Sequence, residues 1–191
     1  MSAASPATGP QYGAVAKVTH WIMFALVAAQ FVVAWVMPEI EWGTQPEFWI
    51  NLHLSLGALL MLLVVFRLAW RLTHPAPRPE AGTPSWQRWS AGATHALMYV
   101  LLIVLPITGW AASSVRGWRV TLFGLFDLPA LLPKGTKLGF KAGDMHADLL
   151  SWALLAVIGL HVLAALYHRF VKRDGVLQRM LPSRIQQASR T

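Results

Sequence analysis

Cysteine is absent from this chain. Its absence excludes disulfides, thiolate-held metals, iron–sulfur clusters and the C-x-x-C-H attachment of a c-type haem. Charge is also scarce, at 13% of 191 residues against 55% hydrophobic residues. A soluble globular domain carries about a quarter charged residues, so an ordinary water-soluble fold is excluded as well. Acidic residues number eight against sixteen Lys and Arg, which leaves a net charge of +8.

Four apolar runs are present, at about 18–38, 52–72, 95–115 and 146–170. Each is near the ~20 residues that a helical membrane span needs. A bilayer leaves no backbone group unpaired, so all four are expected to be helices. The expected fold is therefore all-α, an integral membrane four-helix bundle. It divides into an N-terminal segment 1–17, a transmembrane domain 18–170 and a C-terminal tail 171–191. The first seventeen residues lack the compact basic start and small-residue cleavage site of a secretory signal, and Glu39 and Glu41 follow the first run. A retained first helix is expected.

Lys and Arg set the orientation. One side receives Lys17, Arg67, Arg71, Arg78, Arg88, Arg169, Lys172, Arg173, Arg179, Arg184 and Arg190. The other receives only Arg116, Arg119, Lys134, Lys137 and Lys141. Both termini are thus expected in the cytoplasm. The positive charge is accounted for as an orientation signal, and no nucleic-acid partner is expected. The Pro-rich stretch "THPAPRPEAGTPSWQRWS" reads as the cytoplasmic connection between spans two and three. The connection from Arg116 to Asp144 faces outward, and its "LFGLFDLPALLP" piece, broken by Pro129 and Pro133, is expected to lie on the membrane surface or cap the bundle. Trp42, Trp49, Trp86, Trp89 and Trp118 fall near span ends, where amphipathic rings prefer the interface.

Histidines inside apolar runs carry the functional signal, because ionisable groups in a membrane are costly and usually mark a site. With the termini inside, His20 lies near the cytoplasmic surface and His53 near the outer one. His146 starts span four at the outer surface. His161 follows ~22 Å further along and only ~60° around, at 1.5 Å and 100° per residue of regular helix. The four sort into two layers, His53 with His146 outside and His20 with His161 inside. Two stacked, non-covalently held, bis-histidine b haems require this arrangement, since an axial His pair fills both open positions of the iron and favours electron transfer. Zinc is the rival, but the layers lie too far apart for one centre and no thiolate or carboxylate cluster completes a tetrahedron. Gly57, four residues after His53, leaves room for a flat macrocycle beside it. Pro106 and Gly109 in "LPITGW" are expected to kink span three and open space for a ring.

Three histidines stay open on spacing alone. His168, two turns beyond His161, is either a hydrogen-bond partner to a quinone head group or a solvated span-end residue beside Arg169. His95 is a helix-start residue, a similar donor or a second candidate ligand for the inner haem. His74 lies in the Pro-rich loop and is expected to be solvated.

Four stretches carry a family resemblance: "THW" at 19–21, "LHLSLGALLMLLVVFRLAWRL" at 52–72, "YVLLIVLPITGW" at 99–110 and "IGLHVLAALYHRFVKRDGVLQRMLP" at 158–182. Together they resemble the bacterial four-helix, di-haem cytochrome b561 family over nearly the whole chain. The resemblance implies a multi-pass protein of the bacterial inner membrane, among lipid, with two b haems on His20, His53, His146 and His161. It further implies exchange of electrons with the quinone pool and, as the best-defined activity, superoxide oxidation. Superoxide would give its electron to the outer haem and ubiquinone would be reduced through the inner one, near His168 and Lys172. A different class of role stays open: a membrane anchor and electron conduit for a partner dehydrogenase or hydrogenase.

Overall fold

The computed structural model describes residues 11–79 and 82–181. Arg184, Arg190 and the ends of both terminal segments lie outside the described residues. The architecture is mostly helical. Helices α1 (Ala14–Val36), α2 (Phe48–Thr73) and α3 (Ser85–Arg116) are followed by a two-stranded antiparallel ladder, β1 (Val120–Thr121) with β2 (Asp127–Leu128). The chain then enters α4 (Lys137–Asp144), passes through a π-helical turn at Met145–Leu150 into α5 (Ser151–Tyr167), and ends in a second π turn at His168–Lys172. These last pieces form one continuous fourth helix. All four helices, Lys137–Lys172 included, are long and apolar enough to cross a membrane. Large apolar side chains such as Val32, Trp35, Leu160 and Leu163 stand exposed on the outside. Hydrocarbon is the solvent that tolerates such a surface, and the protein is a multi-pass membrane protein. An even number of spans puts both ends of the bundle's chain at one end, here the terminal end; the ladder marks the other, the hairpin end.

Several expectations are corrected. The helices outrun the apolar runs: α3 starts ten residues before His95 and takes in Ser85–Ser90, so the Pro-rich connection stops at Pro84, whose fixed φ suits the position before a helix. The outward connection is not all loop, since α4 occupies Lys137–Asp144. Hydropathy marks the length a bilayer must cover, whereas helices continue into polar sequence wherever packing supports them. The ladder also makes the fold not purely α.

Packing follows from small residues. Gly139 and Gly143 lie against α3, where a Cβ on Gly139 would collide with Val115 and one on Gly143 would reach within 3.1 Å of Ala112 Cβ. This is the small-xxx-small spacing that lets membrane helices approach closely. Gly117, at φ +78°, ends α3 in the left-handed conformation that glycine adopts freely, and its N–H returns to Ser113 and Ser114 carbonyls. Ile50, Val64, Val115 and Leu154 are the most completely buried side chains and mark the core.

Candidate functional site

Two imidazole pairs stand at opposite ends of the bundle. At the hairpin end the His53 and His146 ring centroids are 5.9 Å apart, with ring planes at 77°. At the terminal end His20 and His161 are 6.3 Å apart, at 72°. A metal ion bound linearly between two ring nitrogens at ~2.0 Å each would place the centroids ~6 Å apart, since each nitrogen lies about 1 Å from its ring centre. Both pairs meet that spacing. His95 also approaches His161, but at 5.3 Å, which is short for an ion between the rings. Spacing therefore favours His20 over His95 as the partner of His161.

Local structure explains why the His146 ring is aimed. The π turn Met145–Leu150 places His146 in a stretch with more residues per turn than regular α-helix, and such turns recur at functional sites. Rise and rotation per residue both fall there, so the regular-helix relation between His146 and His161 is corrected toward smaller values. His146 Nδ1 lies 2.8 Å from the Leu105 carbonyl, to which it donates, and 3.5 Å from Thr108 Oγ1. That bond consigns the proton to Nδ1 and leaves Nε2 with its lone pair free for a metal, the usual way an outer partner fixes a ligating histidine. Gly109 makes the ring's position available: a Cβ there would sit 2.9 Å from His146 Cε1. The imidazole itself takes the space beside Gly109, while Pro106 lines the adjoining cavity.

A cavity of about 270 Å³ adjoins this pair, lined by His53, Gly57, Pro106, His146, Trp152 and Leu155 among others. Gly57 faces it, as expected from its place one turn after His53. A small adjoining cleft is closed by Val120 and Leu128 of the ladder, beside His53 and Gly109. Ser55 Oγ donates to the Thr121 carbonyl at 2.8 Å and fastens the hairpin to α2. The connection between α3 and the fourth helix therefore caps the bundle, as one of its two expected placements had it. An apolar slot with a facing imidazole pair, a glycine wall and a buried His53 Nδ1 fits a b haem. The donor set also fits at the terminal end, where His20 and His161 supply the imidazoles.

The terminal end is tied together by polar contacts. Arg67 reaches from α2 to the Ala16 carbonyl at 2.7 Å and Thr19 Oγ1 at 2.8 Å, next to His20. Trp21 Nε1 donates to the Met180 carbonyl, and Arg179 to the Arg78 carbonyl at 2.7 Å, so the chain after the last span folds back on the bundle. His168 and Lys172 both fall in the second π turn. His168 Nδ1 lies 2.6 Å from Asp174 Oδ2, and Lys172 Nζ donates to Gln87 Oε1 at 2.8 Å. His168 is thus held by a carboxylate rather than simply solvated. His74 is exposed and stacks on Trp70 at 3.8 Å. Gln30, the one polar residue in the second half of α1, lines both hairpin-end cavities and escaped the sequence reading. Its signal was an amide inside "ALVAAQFVVAWV".

Similar proteins bear on the same pattern. The sequence model of the family described as prokaryotic cytochrome b561 matches residues 11–183. The chain is 32% identical over 179 residues to cytochrome b561 homolog 2 of Escherichia coli (strain K12), covering 91% of this chain and 93% of that one. It is 33% identical over 173 residues to "Probable superoxide oxidase CybB" of Yersinia pestis, covering 86% and 92%. Similarity to cytochrome b562 of Cereibacter sphaeroides is 24% over 180 residues, 92% of this chain and 98% of that protein.

Proposed function

This chain belongs to the prokaryotic cytochrome b561 family, whose work is electron transfer, and from that premise we propose that it is a superoxide:ubiquinone oxidoreductase with two b haems. The observation that carries the reading is the two facing imidazole pairs, 5.9 and 6.3 Å apart, one at each end of a membrane-spanning bundle. His53 and His146 would hold one haem and His20 and His161 the other. When bound, such haems would supply one-electron transfer chemistry. The overall balance is two superoxide anions leaving as two O2, with one ubiquinone taking both electrons and two protons. The protein lies in the inner membrane with the terminal end in the cytoplasm, following the charge count of the connections.

The chain's own groups have separate tasks. Lys134, Lys137 and Lys141 at the hairpin end attract an anion and raise its local concentration. Arg116 keeps its charge against the Trp118 and Phe140 rings at 5.6 and 5.3 Å and adds to that field, whereas Arg119 pairs with Asp127 at 3.5 Å and Glu39, Glu41 and Glu47 of the first hairpin-end connection oppose it. The hairpin excludes water from the His53 side of the slot. At the terminal end, Asp174 accepts from His168 Nδ1 and leaves Nε2 for a quinone oxygen, while Lys172 offers a second donor nearby. The similarity to a protein named as a superoxide oxidase supports the choice of donor.

The test is superoxide-driven ubiquinone reduction by the purified cytochrome across a salt series. The expected rate falls several-fold between low and physiological ionic strength, because exposed charges are screened beyond about 8–10 Å. A rate indifferent to salt contradicts electrostatic capture. Absence of superoxide-driven reduction, with a dehydrogenase or hydrogenase co-purifying in mild detergent, replaces this reading with that of a membrane anchor for a partner.

A further inference from the structure

His53 and His146 face each other, yet their outer nitrogens are treated differently. His146 Nδ1 has the Leu105 carbonyl at 2.8 Å. His53 Nδ1 is buried and has no hydrogen-bond partner among the described residues. The carbonyl one turn back, which serves His95 at 2.7 Å through Ala91, does not serve His53. A ligating histidine nearly always gives its second N–H to an acceptor, which fixes the ring and raises its basicity. His53 is missing that acceptor.

A buried acceptor without a donor lies on the neighbouring helix. Gln30 Oε1 is likewise buried and unpartnered among the described residues. The same amide is already anchored to His53, since Gln30 Nε2 donates to the His53 carbonyl at 2.9 Å. Gln30 and His53 both line the large cavity and the small cleft beside it. A Cβ on Gly57 would lie 3.4 Å from Gln30 Nε2, so the amide rests over the turn that follows His53. Gln30 stands in otherwise apolar sequence, where a polar side chain is costly unless it has work to do. One orphaned donor and one orphaned acceptor, joined through a shared backbone anchor, complement each other in type.

We propose that Gln30 is the positioning residue of the hairpin-end haem: its Oε1 accepts a hydrogen bond from His53 Nδ1–H, directly or through one water, and so directs His53 Nε2 to the iron. This rests on the assignment of His53 and His146 as axial ligands. The amide thereby holds α1 to α2 at the ligand itself and makes the imidazole a stronger donor to ferric iron. Removing the acceptor weakens that donation and favours the ferrous state at this haem alone.

The experiment is a spectroscopic redox titration of both haems, with low-spin EPR of the oxidised protein, in the full chain and in Gln30→Leu, Gln30→Glu and His53→Ala. Gln30→Leu is expected to shift one haem positive by about tenfold in its oxidised-to-reduced ratio, about 59 mV for one electron, and to leave the other unmoved. Its haem affinity at that site should fall 10–100-fold. The EPR signal of the same haem should move, because it follows the mutual angle of the two imidazole planes. Gln30→Glu keeps a stronger acceptor and should shift that haem negative. It also decides the matter should Gln30→Leu fail to accumulate. Unchanged potentials and EPR in the Gln30 variants, where His53→Ala has lost one haem, overturn the role of Gln30 and leave the ligand assignment standing. Two haems retained in His53→Ala overturn the assignment first, and the role of Gln30 with it.

Discussion

Replacing His161 with Ala is expected to cut the haem content from two per chain to one and to abolish electron passage to quinone. The imidazole at 161 is the shared member of the terminal-end cluster, with His20 at 6.3 Å and His95 at 5.3 Å. Removing it takes away the ring that both His20 and His95 face, and with it both candidate pairs at that end. His20→Ala should have the same effect on stoichiometry, because its distance suits an ion held between the rings. His95→Ala should retain both haems, since its ring is too near His161 for an ion held between them. A pyridine haemochrome assay against protein concentration measures all three. Loss of a haem in His95→Ala with two retained in His20→Ala would reverse the assignment at that end.

Gly109→Val should be nearly as damaging, at the opposite end. A Cβ at position 109 would lie 2.9 Å from His146 Cε1 and 3.0 Å from Nδ1. The ring cannot swing away without giving up its bond to the Leu105 carbonyl, so the added branches must displace either the imidazole or α3. Overpacking of this kind costs about 1–3 kcal/mol. Haem affinity should fall by at least the roughly 10–100-fold typical when the support of a ligand is lost. Gly159→Ala is the matched control, because a Cβ there meets nothing within 4 Å. Haem titration into the haem-depleted variants reads the difference: one weak site in Gly109→Val, two ordinary sites in Gly159→Ala.

How much of this was readable beforehand differs from element to element. The four helices were legible because a bilayer imposes both length and apolarity on whatever crosses it. Their ends were not: Ser85–Thr94 is a mostly exposed, polar start to α3, and α4 is held against α3 through Gly139 and Gly143, neither of which hydropathy registers. The depth pairing of His53 with His146, and of His20 with His161, followed from counting residues along alternating helices, and the ring separations agree with it. Depth alone could not choose between His20 and His95, which lie in the same layer; the choice needs distances. The π turn at Met145–Leu150 carries no sequence signature, and it alters the very geometry that the regular-helix count assumed. Pro106 and Gly109 marked a place where space was needed, but not that the His146 ring would occupy it. Gln30 was visible as an oddity, and only the placement of α1 beside α2 connects it to His53.

The central claim is that two histidine-held haems pass electrons from superoxide to ubiquinone. Stopped-flow mixing of the oxidised protein with a superoxide pulse, followed at the haem absorption bands with and without ubiquinone, tests it most directly. The account predicts rapid haem reduction that persists without quinone and decays when ubiquinone is present. Oxidised haems that ignore the pulse, in a preparation that dithionite shows to contain two reducible b haems, would contradict it.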